Sequence, residues 1–220
     1  REELSERLNI DPSKIEVMVP LAVPAPRGNP SQAELEHVRR KYALPEHFIL
    51  MIGTVEPRHN HQAVFAALAD VASPAGVVVC GRRTAWSDYL LGYARARRIA
   101  ARVDFIYELT PSDLPALFRL ARVFAYLPDA DAEASVVPVV EALRAGLPMV
   151  LSDTQVNREA AGEAAAYVRP EARGEVLAAL ENALEDVSWR RTMQERERRR
   201  AELFSEYAVA ERLMQIYTSL

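Results

Sequence analysis

"EASVVPVVEALRAGLPMVLSD" spans Glu133–Asp153, and the order of residue types within it decides the fold class. The acidic lead "PDADAEAS" reads as a loop. Pro138 suits the first position of a helix, because its fixed φ is already helical and its missing N–H would have no intrahelical partner there. Glu141 then falls in the opening turn, and Gly146 stands where a helix gives way to a left-handed residue. The run "PMVLS", Pro148–Ser152, is short, apolar and β-branched, as a strand buried on both faces requires. Loop, helix, glycine and strand together form half of a parallel βαβ unit.

Upstream, the same alternation repeats. "FILMIG" (Phe48–Gly53), "GVVVC" (Gly76–Cys80), "VDFIY" (Val103–Tyr107) and "VFAYL" (Val123–Leu127) read as strands. Between them, "NHQAVFAALADVA" puts Val64, Leu68 and Val71 on one helical face, "WSDYLLGYARARRIA" does so with Leu90 or Leu91, Ala94 and Ile99, and "SDLPALFRLA" supplies another helix. The alternation predicts an α/β fold: a Rossmann-like doubly wound parallel sheet with extra C-terminal helices, whose ligand crevice lies at the carboxyl ends of the strands.

Three parts follow from this reading. Residues 1–45 comprise a helix, a strand in "KIEVMVP", the Pro-rich hinge "LAVPAPRGNP" and a lead-in helix over 31–45; residues 46–204 form the Rossmann-like domain; residues 205–220 form a C-terminal amphipathic helix. After "AAAYVRP" the chain is expected to be wholly helical. Its 220 residues, half of them apolar, are enough for one α/β core.

Composition narrows the function. A formal net charge of −4 lacks the basic excess that phosphate backbones demand, so no nucleic acid is expected as partner. The single cysteine, Cys80, lies in the apolar "GVVVCG" and reads as a small core residue. A reducing cytoplasm fits that usage. No apolar run reaches the ~18 residues of a membrane span, and the charged opening "REELSERL" is unlike a signal peptide. The start at Arg1 suggests that an upstream part has been left out. "RRTMQERERRR", with Glu195 and Glu197 among its arginines, reads as a solvated helix face. "RARRIAAR", Arg95–Arg102, has no acids and leaves a peripheral membrane contact open, though its apolar face suits an ordinary surface helix.

The chemistry gathers around Pro138. A helix start presents unpaired N–H groups and the positive end of the macrodipole, so an anion, and above all a diphosphate in a parallel-sheet crevice, is at home there. Glu141, pointing along that crevice, could accept two hydrogen bonds from a ribose diol; its ordinary reading is a favourable first-turn acid. Glu133 alone reads as part of a solvated acidic loop. "DAD" at Asp129–Asp131 resembles a metal-binding pair, but an octahedral ion needs further oxygen ligands that the sequence does not specify. His59 and His61 in "RHNHQ" are spaced as turn residues more than as metal ligands. Ser135 lacks the context of a nucleophile.

Glu133 and Glu141 with Pro138 between them, followed by "EALRAGLPMVLSD", resemble the E-x₇-E segment of the retaining glycosyltransferases of the GT-B architecture, family 4 or glycosyl transferases group 1, whose pattern runs E-G-F-G-L-P-x-x-E-A-x-A-x-G-x-P-V. "FILMIGTVEPRHNHQAVFAAL", "VVVCG", "RVDFIYELTPSDLPALFRLARVFAYLP" and "SDTQVNREAAGEAAAYVRP" match the family's other blocks in order, so the resemblance covers about Phe48 to Phe204. "LNIDPSKIEVMVPLAVP" resembles the strand and hinge leading out of the family's N-terminal domain. The chain thus looks like the C-terminal, donor-binding half.

The resemblance implies transfer of a hexosyl group from a nucleotide-sugar donor to a glycan or lipid-linked acceptor, with retention, without a metal ion or other cofactor. It places Glu141 on the ribose, Glu133 on the donor sugar and Arg58 on the diphosphate, making Glu133 and Arg58 the catalytic pair. Gly53, His59, Ser135, Val136 and Val137 join Arg58 and Glu141 as donor contacts. The missing N-terminal domain is the implied partner, so the isolated chain is expected to bind donor without turnover. Departures are specific: His59 stands at a lysine position, Ala134 and Val136 at two glycines, Ser135 at a phenylalanine, and Tyr107 near a further glycine. An imidazole is no permanent cation, and valine cannot match glycine's close approach to a ligand. These changes keep two alternatives in view: a non-catalytic domain serving as a partner or acceptor-binding subunit, and a sugar-nucleotide epimerase. Gly53, Gly81, Gly146 and Gly162 fit the family pattern.

Overall fold

Apolar runs of four or five residues become strands: β1 (Phe48–Ile52), β2 (Gly76–Cys80), β3 (Val103–Ile106), β4 (Val123–Tyr126) and β5 (Met149–Ser152). The computed structural model describes residues 2–18, 29–129 and 135–219. A further strand, β6 (Ala166–Val168), lies within "AAAYVRP", a stretch to which the sequence reading assigns no element. The helices are α1 (Glu2–Leu8), α2 (Gln32–Lys41), α3 (His61–Leu68), α4 (Ala85–Ala96), α5 (Leu114–Leu120), α6 (Val137–Ala145), α7 (Gln155–Ala161), α8 (Arg173–Glu185), α9 (Val187–Ala201) and α10 (Glu206–Ser219).

All strand pairs are parallel, in the order β3-β2-β1-β4-β5-β6. This is a Rossmann-like doubly wound sheet. Central β1 pairs on both sides, Leu50 aligning with Val78 and with Phe124. Side chains alternate between faces along a strand, so the sheet carries two cores. Phe48, Leu50, Val78, Phe124 and Met149 pack with Leu117 of α5, Leu143 of α6 and Phe204. Ile49, Met51, Val77, Val79 and Val123 pack with Phe65 of α3, Leu90 of α4 and Leu180 of α8.

Polar ties seat the helices. Ser31 and Glu34 form a capping box on α2, with Glu34 Oε2 2.7 Å from the Ser31 N–H. Lys41 Nζ and the Tyr42 hydroxyl both donate to Asp113, at 2.7 and 2.9 Å, and dock α2 beside α5. Helix α6 stops at Gly146, whose φ of 61° is left-handed, while the Leu147 N–H returns to the Ala142 carbonyl at 3.1 Å.

Three expectations are corrected. Ile15–Met18 form no strand; Val17 is 62% exposed, and no sheet edge among the described residues pairs with that backbone. Helix α3 ends at Leu68, because the chain must turn at Asp70 and Val71 to enter β2. Glu197 is not solvated but fully buried, since Arg190, Met193 and Glu197 form one stripe of α9 turned inward, with α9 packed on α6 and α8. Glu195 does face solvent, 3.9 Å from Arg191. Of the hinge, residues 21–28 lie outside the described residues, as do 19 and 20 before it.

Candidate functional site

The chain leaves β1 toward β2 and leaves β4 toward β5, on opposite sides of the sheet, so a crevice opens between the carboxyl ends of β1 and β4. Its floor is close-packed backbone. Gly53 takes φ 143° and its N–H donates to the Cys80 carbonyl at 3.0 Å; Gly81 donates to Ile106 at 3.0 Å. A Cβ on Gly81 would lie 1.8 Å from the Gly53 carbonyl oxygen, so only glycine fits there. Beyond the turn, the Val55 N–H donates to Arg82, and the Thr84 hydroxyl, which caps α4, donates back to the Val55 carbonyl.

A short turn, Pro57–His59, carries the next candidates. Arg58 Nε donates to Glu56 at 2.7 Å, and Glu56 also faces Arg82 at 3.9 Å. Asn60, left-handed at φ 52°, donates from Nδ2 to the Leu127 carbonyl at 2.9 Å and to Asp129 at 2.6 Å. The Asp129 N–H meets the Arg58 carbonyl at 2.9 Å. Asn60 thereby joins the loop after β1 to the end of β4, across the crevice. Sequence reasoning passed over it; the available signal was an asparagine, which tolerates the left-handed region, immediately before a helix.

Both histidines are buried. His59, 5% exposed, places its ring against Gly53 and its Nδ1 2.5 Å from the Thr54 carbonyl. His61, 1% exposed, has no partner at Nδ1, and the two rings meet edge to face at 6.0 Å. Burial, with the neighbouring His59 as a lesser cause, pushes the His61 imidazole down to about 4, against the opposing pull of the Glu56 carbonyl. No group of three or more His, Cys, Asp or Glu side chains suited to a metal ion occurs among the described residues.

Across the crevice, α6 begins at Val137, with Val136 at its N-cap. A valine side chain cannot accept a hydrogen bond, so its cap contributes nothing to the N–H groups of Val136, Val137 and Val139, and the macrodipole adds positive potential. Pro138 is the second residue of the helix, one later than expected, and Glu141 therefore opens the second turn. Its carboxyl group is half-buried and raised above the usual range by desolvation, which Arg144 partly offsets. Ser135, Val136 and Val137 are half-buried at this helix entry, where the Tyr126 hydroxyl reaches the Ser135 carbonyl at 3.5 Å. Ser152 Oγ donates to the Pro128 carbonyl at 2.8 Å, and Asn157 Nδ2 reaches Ser152 at 3.0 Å, tying α7 to the ends of β4 and β5. Glu133, Ala134 and Asp131 lie outside the described residues. The structure thus gathers Gly53, Arg58 and His59 in one loop, and Ser135, Val136, Val137 and Glu141 at one helix entry.

Comparison with known proteins converges on this architecture. The family profile described as "Glycosyl transferases group 1" matches residues 34–200. "O-antigen chain mannosyltransferase B" of Escherichia coli is 29% identical over 181 residues, covering 80% of this chain and 47% of the relative. Among solved structures, WaaG, a glycosyltransferase involved in lipopolysaccharide biosynthesis, superposes with a TM-score of 0.80 at 18% identity, covering 98% of this chain and 59% of that one. Anabaena Alr3699/HepE in complex with UDP and glucose superposes at 0.75 with 16% identity, covering 87% of this chain and 53% of that one. The chain therefore spans about half the length of the proteins it matches. No helix among the described residues is long and apolar enough to cross a membrane.

Proposed function

The chain belongs to the glycosyl transferases group 1 family, and from that premise we propose that its crevice binds a nucleotide-sugar donor for retaining transfer of a hexosyl group to a glycan or lipid-linked acceptor. One observation carries the reading: the N-terminus of α6, with a valine at its cap, opens at the point where the winding of the parallel sheet reverses. That is the place in such a sheet where a diphosphate gains most from N–H groups and the macrodipole. The relative named as an O-antigen mannosyltransferase supports a sugar donor and a polysaccharide product, and the neighbour solved with UDP and glucose supports a nucleotide-linked donor.

In this scheme the bond from the anomeric carbon to the diphosphate oxygen breaks as the bond to the acceptor oxygen forms. The acceptor's proton passes to the departing diphosphate, on the face the donor sugar already occupies. Glu141 holds the ribose, and its half-buried carboxylate forms no hydrogen bond with the described residues. Arg58 stabilises the charge that develops on the diphosphate, a fixed guanidinium being suited to that task. Glu133 contacts the donor sugar, and the backbone at Gly53 and at Ser135–Val137 approaches the phosphates. No metal is required. Acceptor groups come from a second domain, so this chain alone binds donor without turnover in a cytoplasmic, membrane-peripheral setting.

A second reading, a non-catalytic partner domain, has one specific observation behind it. His59 rests its Nδ1 on the Thr54 carbonyl and adds no permanent positive charge beside Gly53. Calorimetric titration with UDP, GDP, ADP and their hexose conjugates, repeated on Glu141→Ala, separates the two. Saturable binding weakened about tenfold or more by the substitution, a loss on the scale of a hydrogen bond to a charged group, supports the donor site. If none of these ligands binds at millimolar concentration, yet His59→Lys combined with Ala134→Gly and Val136→Gly creates binding, the donor reading fails and the partner reading stands.

A further inference from the structure

At the opposite end of the sheet, where β4 and β5 begin, a pocket of about 110 Å³ opens to solvent between α5, the C-terminus of α6 and the first turns of α9. Pockets for drug-sized ligands run to ~300–1,000 Å³, so this one suits a small ion or a single head group. Its lining contains Arg119, Arg122, Arg190 and Gln194 and no carboxylate; the rest is apolar or glycine, the buried Leu147 and Pro148 included. Every polar side chain in that lining can donate hydrogen bonds.

Their existing bonds leave most of those donors uncommitted. Arg190 is 8% exposed and fixed by the Ala183 and Leu184 carbonyls, at 3.3 and 2.5 Å. Arg119 and Gln194 reach the Ala145 and Gly146 carbonyls only at 3.4 Å, the weak end of hydrogen bonding. Arg122 is half-buried and its guanidinium forms no ion pair with the described residues. Arg122 and Arg190 are near enough to repel: Arg122 depresses the Arg190 guanidinium, second to burial, while Glu185 and Asp186 at the end of α8 favour its charged form. The carbonyl ends of α5, α6 and α8 lend negative potential that favours a cation at each, and their meeting sets three guanidiniums around one hollow.

We propose that this pocket binds a tetrahedral oxyanion, either inorganic phosphate or the phosphate of a monoester, between Arg122 and Arg190, with Arg119 and Gln194 closing over it. Planar guanidinium forks match phosphate oxygens in pairs. Occupancy relieves the repulsion between the two arginines and ties α5 to α9. The site lies at the other end of the strands from the Glu141 crevice and is independent of the donor proposal.

The test follows the arginine Nε–Hε resonances of the ¹⁵N-labelled chain during titration with inorganic phosphate, against sodium chloride at matched ionic strength, with glycerol 3-phosphate as a second arm. Saturating shifts at Arg122 and Arg190 with phosphate but not chloride, accompanied by a rise in Tm, are expected. Glycerol 3-phosphate binding equally well identifies a monoester ligand, and its exclusion identifies the free ion; both support the site. Arg122→Gln is expected to weaken binding about tenfold or more, since it removes a charge-assisted pair of bonds. Arg119→Gln, at an exposed side chain, gives the same direction if Arg122→Gln does not fold, while Arg95→Gln leaves affinity unchanged. Equal shifts with chloride, or affinity unaltered in both pocket variants, overturn the proposal.

Discussion

The two ends of the sheet are built from different materials. At the carboxyl ends, Gly53, Gly81 and Asn60 bring backbone against backbone and leave helix N-termini facing a crevice. At the amino ends, arginines stand over helix C-termini: Arg95 closes α4, Arg119 closes α5 and Arg144 closes α6. The difference follows from topology. Each helix that follows a strand runs back antiparallel to it, so all the macrodipoles point the same way and one end of the sheet attracts anions while the other collects cations. Buried groups ignore that polarity: His61 at the crevice and Glu197 under α9 are both held neutral by lack of water.

The largest effect expected at the glycine end comes from Gly81→Ala. Its methyl would meet the Gly53 carbonyl oxygen at 1.8 Å, backbone against side chain with nothing able to yield. Loss of about 4 kcal/mol or more is expected, enough to unfold the chain in mild denaturant. A native denaturation midpoint would show that β1 and β2 separate freely, and would remove the contrast between the two ends.

The next test sets the two buried neutral groups against each other. His61 falls from 6.5 to about 4 on folding, so the stability it contributes is complete above pH 6.5 and is lost as pH drops toward 4. Glu197 rises from 4.5 to about 8, desolvation being the cause and both its oxygens lacking partners. Its contribution is complete below pH 4.5 and is lost as pH climbs toward 8. Between pH 4.5 and 6.5 the two slopes cancel; above 6.5 the native chain loses about 2 kcal/mol by pH 8, at 1.36 kcal/mol per unit. Urea denaturation across this range should show Glu197→Gln free of the alkaline loss, and His61→Gln declining steadily from pH 4.5. A Glu197→Gln chain that still weakens above pH 6.5 would mean that the acid is not neutral in the fold.

The smallest effect separates glycines that are needed from one that is not. Gly92 sits in mid-α4, where an added Cβ would meet no atom within 4 Å. Gly92→Ala is expected to raise stability by about 0.5–1 kcal/mol through helix propensity, read from the shift in Tm. A loss there would reveal a close neighbour of α4 in solution.

Much of this architecture is legible in the chain because the doubly wound fold repeats one local signal. Five apolar runs of strand length alternate with helical spacing, and parallel strands buried on both faces leave no polar alternation to confuse the reading. β6 escapes because three residues in an alanine-rich stretch carry little β signal; its register comes from pairing with β5. Glu197 escapes because charge patterning along α9 cannot tell which stripe faces α6. At the site, Pro138 and Gly146 mark the two ends of α6 to within one residue, whereas the burial of His59 comes from the way its turn folds against Gly53 and Thr54, and Asn60 is recognised only when β1 and β4 lie side by side. Such features belong to tertiary contact, which local spacing does not encode.

The pairing of β1 with β4 also governs how the chain assembles. β1 aligns with β2 after a single crossover helix, but Ile49 meets Val123 only after two further crossovers have been threaded. Closing so long a loop is entropically expensive, and a parallel pair has no tight turn to set its alignment. The half built on β1, β2 and β3 and the half built on β4, β5 and β6 each gain from contacts near in sequence, so their junction is expected to form last. The Asn60 side chain, spanning that junction to Leu127, becomes a latch that can close only once both halves exist.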